Sequence, residues 1–169
     1  MMKVEKALVS KPRCSYHVYL NYRGQEININ FINLLHTALT DVGIQTFKKH
    51  SAARKGKIVG SELQKAVKES RISVIVFSED YAYSRRCLDE LVSILERKQT
   101  AGHMILPVFY HVDPSHVRKQ TGSYAKAFHD YEEQIMVETV ERRNEHMEKV
   151  KTWRASLKEV ANMSGIVLE

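Results

Sequence analysis

Two arginines, a thiol and two adjacent carboxylates fall within the eight residues from Ser84 to Leu91, which read SRRCLDEL. Ser84 is a residue type that caps the amino end of helices, and the apolar residues after it recur at the spacing of a helix with one buried face. At about 100° per residue, Asp89 and Glu90 both point away from that face, on opposite flanks. Acids in the first turns of a helix are favoured by its dipole. The pair therefore has two interpretations: solvated acids at a helix start, or a working carboxylate in an active site.

The thiol of Cys87 lies on the buried face of the same predicted helix, which indicates a small core side chain. A thiol near a helix amino end can instead be reactive, so that interpretation stays open. The other cysteine, Cys14, is distant in sequence, and two cysteines make a poor disulfide framework. This cysteine usage favours a reducing compartment.

Other familiar site patterns are absent from the sequence. It contains no GxGxxG, no phosphate-binding GxxxxGK[ST], no HExxH and no GxSxG. Four histidines lack metal-ligand spacing and are interpreted as structural or surface residues: His103, His111, His116 and His129. We therefore predict neither a metal site nor a bound cofactor.

The charge balance favours acidic or phosphate-bearing partners. The formal net charge is +6, and five cationic residues fall in ten positions that hold no acid. They are Lys48, Lys49, Arg54, Lys55 and Lys57. This segment is either a solvated basic loop or a loop that faces phosphates. Because no nucleic-acid-binding signature accompanies it, nucleic acid is the weaker choice of partner.

The length of 169 residues fits one domain. Residues 1–13 are polar and aperiodic, which indicates a flexible leader, so the domain is expected over residues 14–169. The pattern shows neither a signal peptide nor an apolar stretch long enough to span a membrane. We therefore expect a cytoplasmic protein, with the nucleus as a second location.

Strand and helix patterns alternate along the domain. From Ser15, alternate residues share a face, with Tyr16, Val18, Leu20 and Tyr22 on one side and Tyr19 on the other. Strands are predicted next at 44–47, 72–77 and 104–110. Helices are predicted at 31–42 with Leu34 and Val42 in the apolar stripe, from Gly60, at 85–98, after Asp113, and over 123–162 with a break near 140–148.

Alternating strands and helices predict a parallel sheet with crossover helices. About five strands suit the flavodoxin-like order 2-1-3-4-5, in which ligands bind beyond the carboxyl ends of the strands where the order reverses. That point lies between the first and third strands, at residues 22–24 and 77–79. The SRRCLDEL segment follows directly, so topology alone places it near the predicted crevice.

Several segments, taken in order, resemble one family. They are YHVYLNYRG from Tyr16, GIQTF from Gly43, KGKIVGSEL from Lys55, IVFSEDYAYS from Ile75, CLDEL from Cys87, LPVFYHVDPSHVR from Leu106 and WRASL from Trp153. Together they resemble the plant TIR (Toll/interleukin-1 receptor) domain. This domain heads many nucleotide-binding leucine-rich-repeat immune receptors and also occurs as short TIR-only proteins. The resemblance covers about residues 14–166, and the family fold agrees with the predicted topology.

The resemblance implies an activity and a site. Plant TIR domains cleave the bond between nicotinamide and ribose in NAD⁺ or NADP⁺, and the essential glutamate of the family maps to Glu90. Asp89 is left with a structural role. The substrate pocket that the resemblance implies is lined by Arg23, Gly24, Ser84, Arg86, Cys87, Lys55, Lys57 and Ile58. NAD⁺ is a substrate here, so no cofactor is implied.

The family acts in plant innate immunity and cell death through self-association, which implies an oligomer when active. The implied self-association positions are Asn33, Leu34 and Gly165. Many relatives carry a Ser-His pair where this chain has Asn33 and Leu34, and a tryptophan where it has Arg86. A guanidinium can stack on a base as tryptophan does, but it repels the positive nicotinamide ring.

Three functions therefore remain as hypotheses. The first is a self-associating NAD⁺ hydrolase. The second is a catalytically weak adaptor that makes homotypic TIR contacts, which the residues at Arg86, Asn33 and Leu34 favour and Glu90 opposes. The third is a nucleic-acid-processing TIR domain, a cyclic nucleotide synthetase, to which the family links the thiol at Cys87.

Overall fold

The structure, a computed structural model, describes residues 16–24, 26–48 and 60–169. The predicted leader, Cys14 and most of the basic segment lie outside these residues. In the described part of the chain, no helix combines the length and the apolar character needed to cross a membrane.

Helices and strands alternate along the described chain. The strands are β1 Val18–Asn21, β2 Thr46–Lys48, β3 Ile72–Phe77, β4 Met104–Tyr110 and β5 Ile166–Leu168. The helices are α1 Glu26–Asp41, α2 Gly60–Lys68, α3 Arg85–Ala101, α4 Pro114–Lys119, α5 Ser123–Met136 and α6 Val140–Ala161, with a 3₁₀ turn at Tyr81–Tyr83.

The strands form one parallel sheet in the order β2-β1-β3-β4-β5, which confirms the predicted topology. The alternation predicted for β1 is also confirmed. Val18, Leu20 and Tyr22 pack into one apolar cluster, together with Ile32 of α1. Tyr19 packs into the other cluster, beneath α2, α3, α5 and α6. The sheet is therefore covered on both faces, as parallel sheets require.

Several details of the predicted elements were wrong: the burial of two residues, the start of one strand and the location of the last strand. Leu34 and Val42 are 69% and 72% exposed, because α1 packs through the flank that carries Ile32 instead. The second strand begins at Thr46 rather than Ile44, whose amide is used to close the turn after α1. The strand β5 was counted but not located, since it has only three residues and two of them are exposed.

The predicted break between residues 123 and 162 exists but was placed too late, because residues 140–148 are helical. The chain turns at residues 137–139, where extended Thr139 precedes α6. Arg143 bonds back to the carbonyls of Met136 and Glu138, and His146 bonds to the Glu138 carboxylate. The charged residues at the start of α6 therefore form a solvated helix face, and two of them hydrogen-bond to the turn that precedes the helix.

Candidate functional site

The candidate site lies beyond the carboxyl ends of β1 and β3. These neighbours pair in parallel up to Asn21 and Ile75, and the strand order reverses between them. Such a reversal opens a crevice between the loops that leave the two strands. The helix α3 starts at the same edge, where the Ser84 hydroxyl accepts a bond from the amide of Cys87 at 3.1 Å. The capping role predicted for Ser84 is confirmed.

The carboxylate of Glu90 is buried, with only 8% of the residue exposed. The sequence pattern predicted that it points away from the buried face of its helix, and this was wrong. Its Oε1 atom accepts a hydrogen bond from the hydroxyl of Tyr19 in β1. Burial and the adjacent carboxylate raise the pKa of Tyr19 far above its usual range, so that the hydroxyl remains a donor. The Glu90 carboxylate is thus held in one position on α3, beside the apolar face of the helix.

Asp89 has different surroundings. Its Oδ1 accepts a bond from the indole Nε1 of Trp153 at 3.0 Å, and its Oδ2 lies 3.3 Å from the ammonium of Lys149. Both partners belong to α6. Asp89 therefore links α3 to α6 and faces away from Glu90, in agreement with the structural role expected for it.

A set of buried polar contacts surrounds the start of α3. The thiol of Cys87 is fully buried and donates to the carbonyl of Tyr22 at 3.2 Å. The hydroxyl of Tyr81 donates to the side-chain oxygen of Asn21 and lies 3.2 Å from the carbonyl of Cys87. Burial raises the pKa of Tyr81 as well. These contacts fix the base of the β1 loop against α3.

The buried amide of Asn21 belongs to the site but was not predicted. Its Nδ2 atom has no hydrogen-bond partner among the described residues. A buried donor of this kind costs about 1–3 kcal/mol while it remains unpaired. The sequence placed Asn21 and Tyr19 only on one face of a strand. A signal was available, since buried tyrosine and asparagine side chains in a strand need polar partners.

Arg23 joins the two loops at the crevice. Its guanidinium donates to the carbonyl of Asp80 at 3.0 Å and lies 3.6 Å from the carboxylate of the same residue. Asp80 in turn accepts a bond from the Ser78 hydroxyl at 2.6 Å. The predicted pocket residue Arg23 is therefore held by the loop that follows β3, and Gly24 beside it is exposed.

The other predicted pocket residues are distributed differently. Arg86 is exposed in the first turn of α3. Its neighbour Arg85 turns toward α5, where it bonds to Gln134 and lies 5.2 Å from the ring centre of Tyr131. The remaining predictions, Lys55, Lys57 and Ile58, lie outside the described residues.

The predicted self-association residues do not form one group of contacts. Leu34 is exposed on α1, and the side-chain oxygen of Asn33 accepts a bond from Lys48 at 2.7 Å. Gly165 precedes β5, and a Cβ atom built on it would lie 2.3 Å from the carbonyl oxygen of Pro107. The absence of a side chain at Gly165 therefore has a packing reason within the fold.

The described residues contain no group of three or more histidine, cysteine, aspartate or glutamate side chains that could hold a metal ion. The functional groups that the structure brings into contact are the buried carboxylate of Glu90 and the Tyr19 hydroxyl that donates to it. A fixed carboxylate in a crevice can stabilise a positive charge that develops on a bound substrate. It can equally accept hydrogen bonds from substrate hydroxyl groups.

Comparison with known proteins identifies the family. The model of the TIR domain matches residues 15–169. Disease resistance protein RPV1 of Vitis rotundifolia is 48% identical over 157 residues, which cover 92% of this chain but 10% of that protein. TMV resistance protein N of Nicotiana glutinosa is 41% identical over 156 residues, which cover 92% of this chain and 13% of that protein. The chain thus spans about a tenth of the length of these relatives.

A solved structure agrees with the sequence relatives. It is described as the activated Roq1 resistosome directly recognizing the pathogen effector XopQ, and its TIR domains superpose on this chain with a TM-score of 0.79. The identity is 44%, and the match covers 91% of this chain and 88% of the other. The sequence motifs, the sheet order and the family model lead to one conclusion. This chain belongs to the TIR domain family.

Proposed function

We propose that this TIR domain cleaves the bond between nicotinamide and ribose in NAD⁺ or NADP⁺. The observation that carries the proposal is the buried Glu90 carboxylate, which accepts a hydrogen bond from Tyr19 of β1. NAD⁺ is a substrate in this proposal and is consumed by the reaction. The family resemblance supports the same activity.

The chemistry needs only one essential acid. When the ribose C1′–N bond breaks, its electron pair leaves with the nicotinamide ring, which departs as a neutral molecule and needs no protonation. The positive charge that remains on the ribose resembles an oxocarbenium ion, and a fixed carboxylate stabilises it or orients the ribose hydroxyls. Water then adds to C1′ and loses a proton, so that ADP-ribose and nicotinamide are the products.

Cationic residues supply the binding of the pyrophosphate. Arg23 is the described candidate, and Lys55 and Lys57 are the candidates in the basic segment. One guanidinium can donate two parallel hydrogen bonds to phosphate oxygens, which favours arginine in this role. Because Arg23 is held by Asp80, it can keep the two loops together while it contacts a substrate.

The domain's biological role is proposed from its relatives. Their descriptions name disease resistance proteins and an activated resistosome. We place this domain in plant innate immune signalling and cell death in the cytoplasm, with activity that depends on self-association. Assembly would complete the pocket, so a monomer would turn over slowly.

A test follows nicotinamide release from NAD⁺ by the tethered or highly concentrated protein. The wild type should release nicotinamide, and Glu90→Ala should not. Glu96→Ala is the matched control, because Glu96 lies on the same helix but is exposed to solvent. If wild type and Glu90→Ala consume no NAD⁺ while tethered, the enzymatic proposal fails.

A second candidate function is a TIR adaptor that only makes homotypic contacts. It is favoured by two exposed apolar side chains, Leu34 on α1 and Val42 in the turn directly after it, which are available for contact with a partner. The Arg86→Trp variant separates the two functions. Under the enzymatic proposal this exchange removes a charge that repels the nicotinamide ring and should raise the rate. An adaptor would gain no NAD⁺ cleavage from it.

A further inference from the structure

The Tyr19 side chain is held by strand pairing on both sides and by an aromatic neighbour. Tyr19 is fully buried in the second position of β1 and pairs with Phe47 on one side and Ser73 on the other. Its ring stacks on that of Phe47 with centres 5.4 Å apart and planes inclined by 7°. The position of its hydroxyl is therefore set by an interior strand of the sheet.

The Glu90 carboxylate lies at the end of a side chain with more rotatable bonds than that of Tyr19. It projects from α3, and the Tyr19 hydroxyl donates to its Oε1 atom. Nearby, the Tyr81 hydroxyl donates to Asn21 and the thiol of Cys87 donates to a backbone carbonyl. Tyr19 is thus the tyrosine whose hydroxyl connects the rigid sheet to the carboxylate.

From this arrangement we propose that Tyr19 is a positioning residue for Glu90, an inference that rests on the proposed cleavage of NAD⁺. The hydroxyl selects one orientation of the carboxylate and stabilises its negative charge through a charge-assisted hydrogen bond. Tyr19 does not itself contact the substrate. A correctly placed carboxylate matters because a displacement of about 1 Å can cost on the order of a hundredfold in rate.

The decisive variant is Tyr19→Phe, which removes the hydroxyl and keeps the ring in its place against Phe47. The kcat for nicotinamide release should fall by about tenfold to a hundredfold, and the KM should stay within about twofold because substrate contacts are retained. Tyr124→Phe is the matched control. It also removes a fully buried hydroxyl, one that bonds to the carbonyl of Ser78 at 2.8 Å, and it should retain the wild-type kcat.

A double-mutant cycle separates positioning from a general loss of packing. Glu90→Asp keeps the carboxylate but withdraws it by one methylene group from the Tyr19 hydroxyl. Adding Tyr19→Phe to Glu90→Asp should therefore lower kcat no further, because the bond is already lost. Equal losses from Tyr19→Phe in both backgrounds would show that the hydroxyl acts without Glu90 and would overturn the inference.

The outcomes also distinguish a failure of the positioning role of Tyr19 from a failure of the proposed NAD⁺ cleavage. If the tethered wild type releases nicotinamide and Tyr19→Phe matches it in kcat, the positioning role is overturned and the proposed function stands. A loss of kcat in Tyr124→Phe as large as in Tyr19→Phe would overturn it too. If the wild type releases no nicotinamide, the proposed function fails and the inference fails with it.

Discussion

Replacing Asp89 by alanine should weaken the domain and leave NAD⁺ cleavage intact. Asp89 accepts a bond from the Trp153 indole at 3.0 Å and lies 3.3 Å from the Lys149 ammonium. Its neighbour Glu90 makes neither contact. Replacing Asp89 should therefore lower the stability of the domain, whereas replacing Glu90 should lower the rate of NAD⁺ cleavage.

The magnitude follows from the two contacts. A hydrogen bond to a charged group contributes about 1.5–3 kcal/mol, and the 47% exposure of the Asp89 side chain favours a value below that range, about 1 kcal/mol. The exposed ion pair with Lys149 adds about 0.2–1 kcal/mol. The total loss is about 1.5 kcal/mol, which for a domain of this size lowers the Tm by about 3–6 °C.

The assay combines thermal unfolding with nicotinamide release, measured well below the melting temperature. Lys149→Ala should lower the Tm by less than Asp89→Ala, because it removes the exposed ion pair and the cation–π contact with the Trp153 ring at 5.6 Å but leaves the indole hydrogen bond of Asp89 in place. Asp89→Asn should fall between the two, because an amide oxygen still accepts from the indole of Trp153. An inactive Asp89→Ala with an unchanged Tm would refute this reasoning and identify Asp89 as the working acid.

Two further changes test the fold around the site. Gly165→Ala should cost about 1–3 kcal/mol, because its Cβ would lie 2.3 Å from the carbonyl oxygen of Pro107; denaturant unfolding should show this loss, and Ser164→Ala, at an exposed neighbour, should not. Burial and the charge of Arg97 lower the pKa of His103 below its ordinary 6.5, so its neutral form stabilises the fold above pH 6.5 and that stability is lost as the pH falls below it. His103→Gln should flatten the dependence of unfolding free energy on pH between about 5 and 7, and an unchanged slope would contradict the assignment.

The sheet order could be predicted from the sequence because each buried strand leaves a strong local pattern. The strand β3 reads ISVIVF and matches its predicted bounds, as does β4. The short β5 leaves no such pattern, since its pairing with β4 depends on the close approach of Gly165 to Pro107. That approach is a tertiary contact, and no local period encodes it.

The position of the site could be predicted from the sequence, but the direction of the Glu90 side chain could not. Topology placed the segment from Ser84 to Leu91 beside the crevice, and the family resemblance selected Glu90. Helical periodicity then put the Glu90 side chain outside the core, because it treats charged residues as solvated. The structure buries Glu90 because Tyr19 supplies a donor from the neighbouring strand. A partner contributed by a residue 71 positions away is invisible to a pattern within one helix.

The start of α3 determines whether Asp89 or Glu90 contacts the sheet. Consecutive side chains differ by about 100° around a helix, so Asp89 turns to α6 while Glu90 turns to β1. The phase of this helix is set where it begins, by the Ser84 cap on the amide of Cys87 and by the burial of Cys87 and Leu88. A shift of one residue at the cap would move one acid into the position of the other and the second acid out of its present contacts. The uncharged residues at the helix start therefore determine which carboxylate is available for the proposed cleavage of NAD⁺.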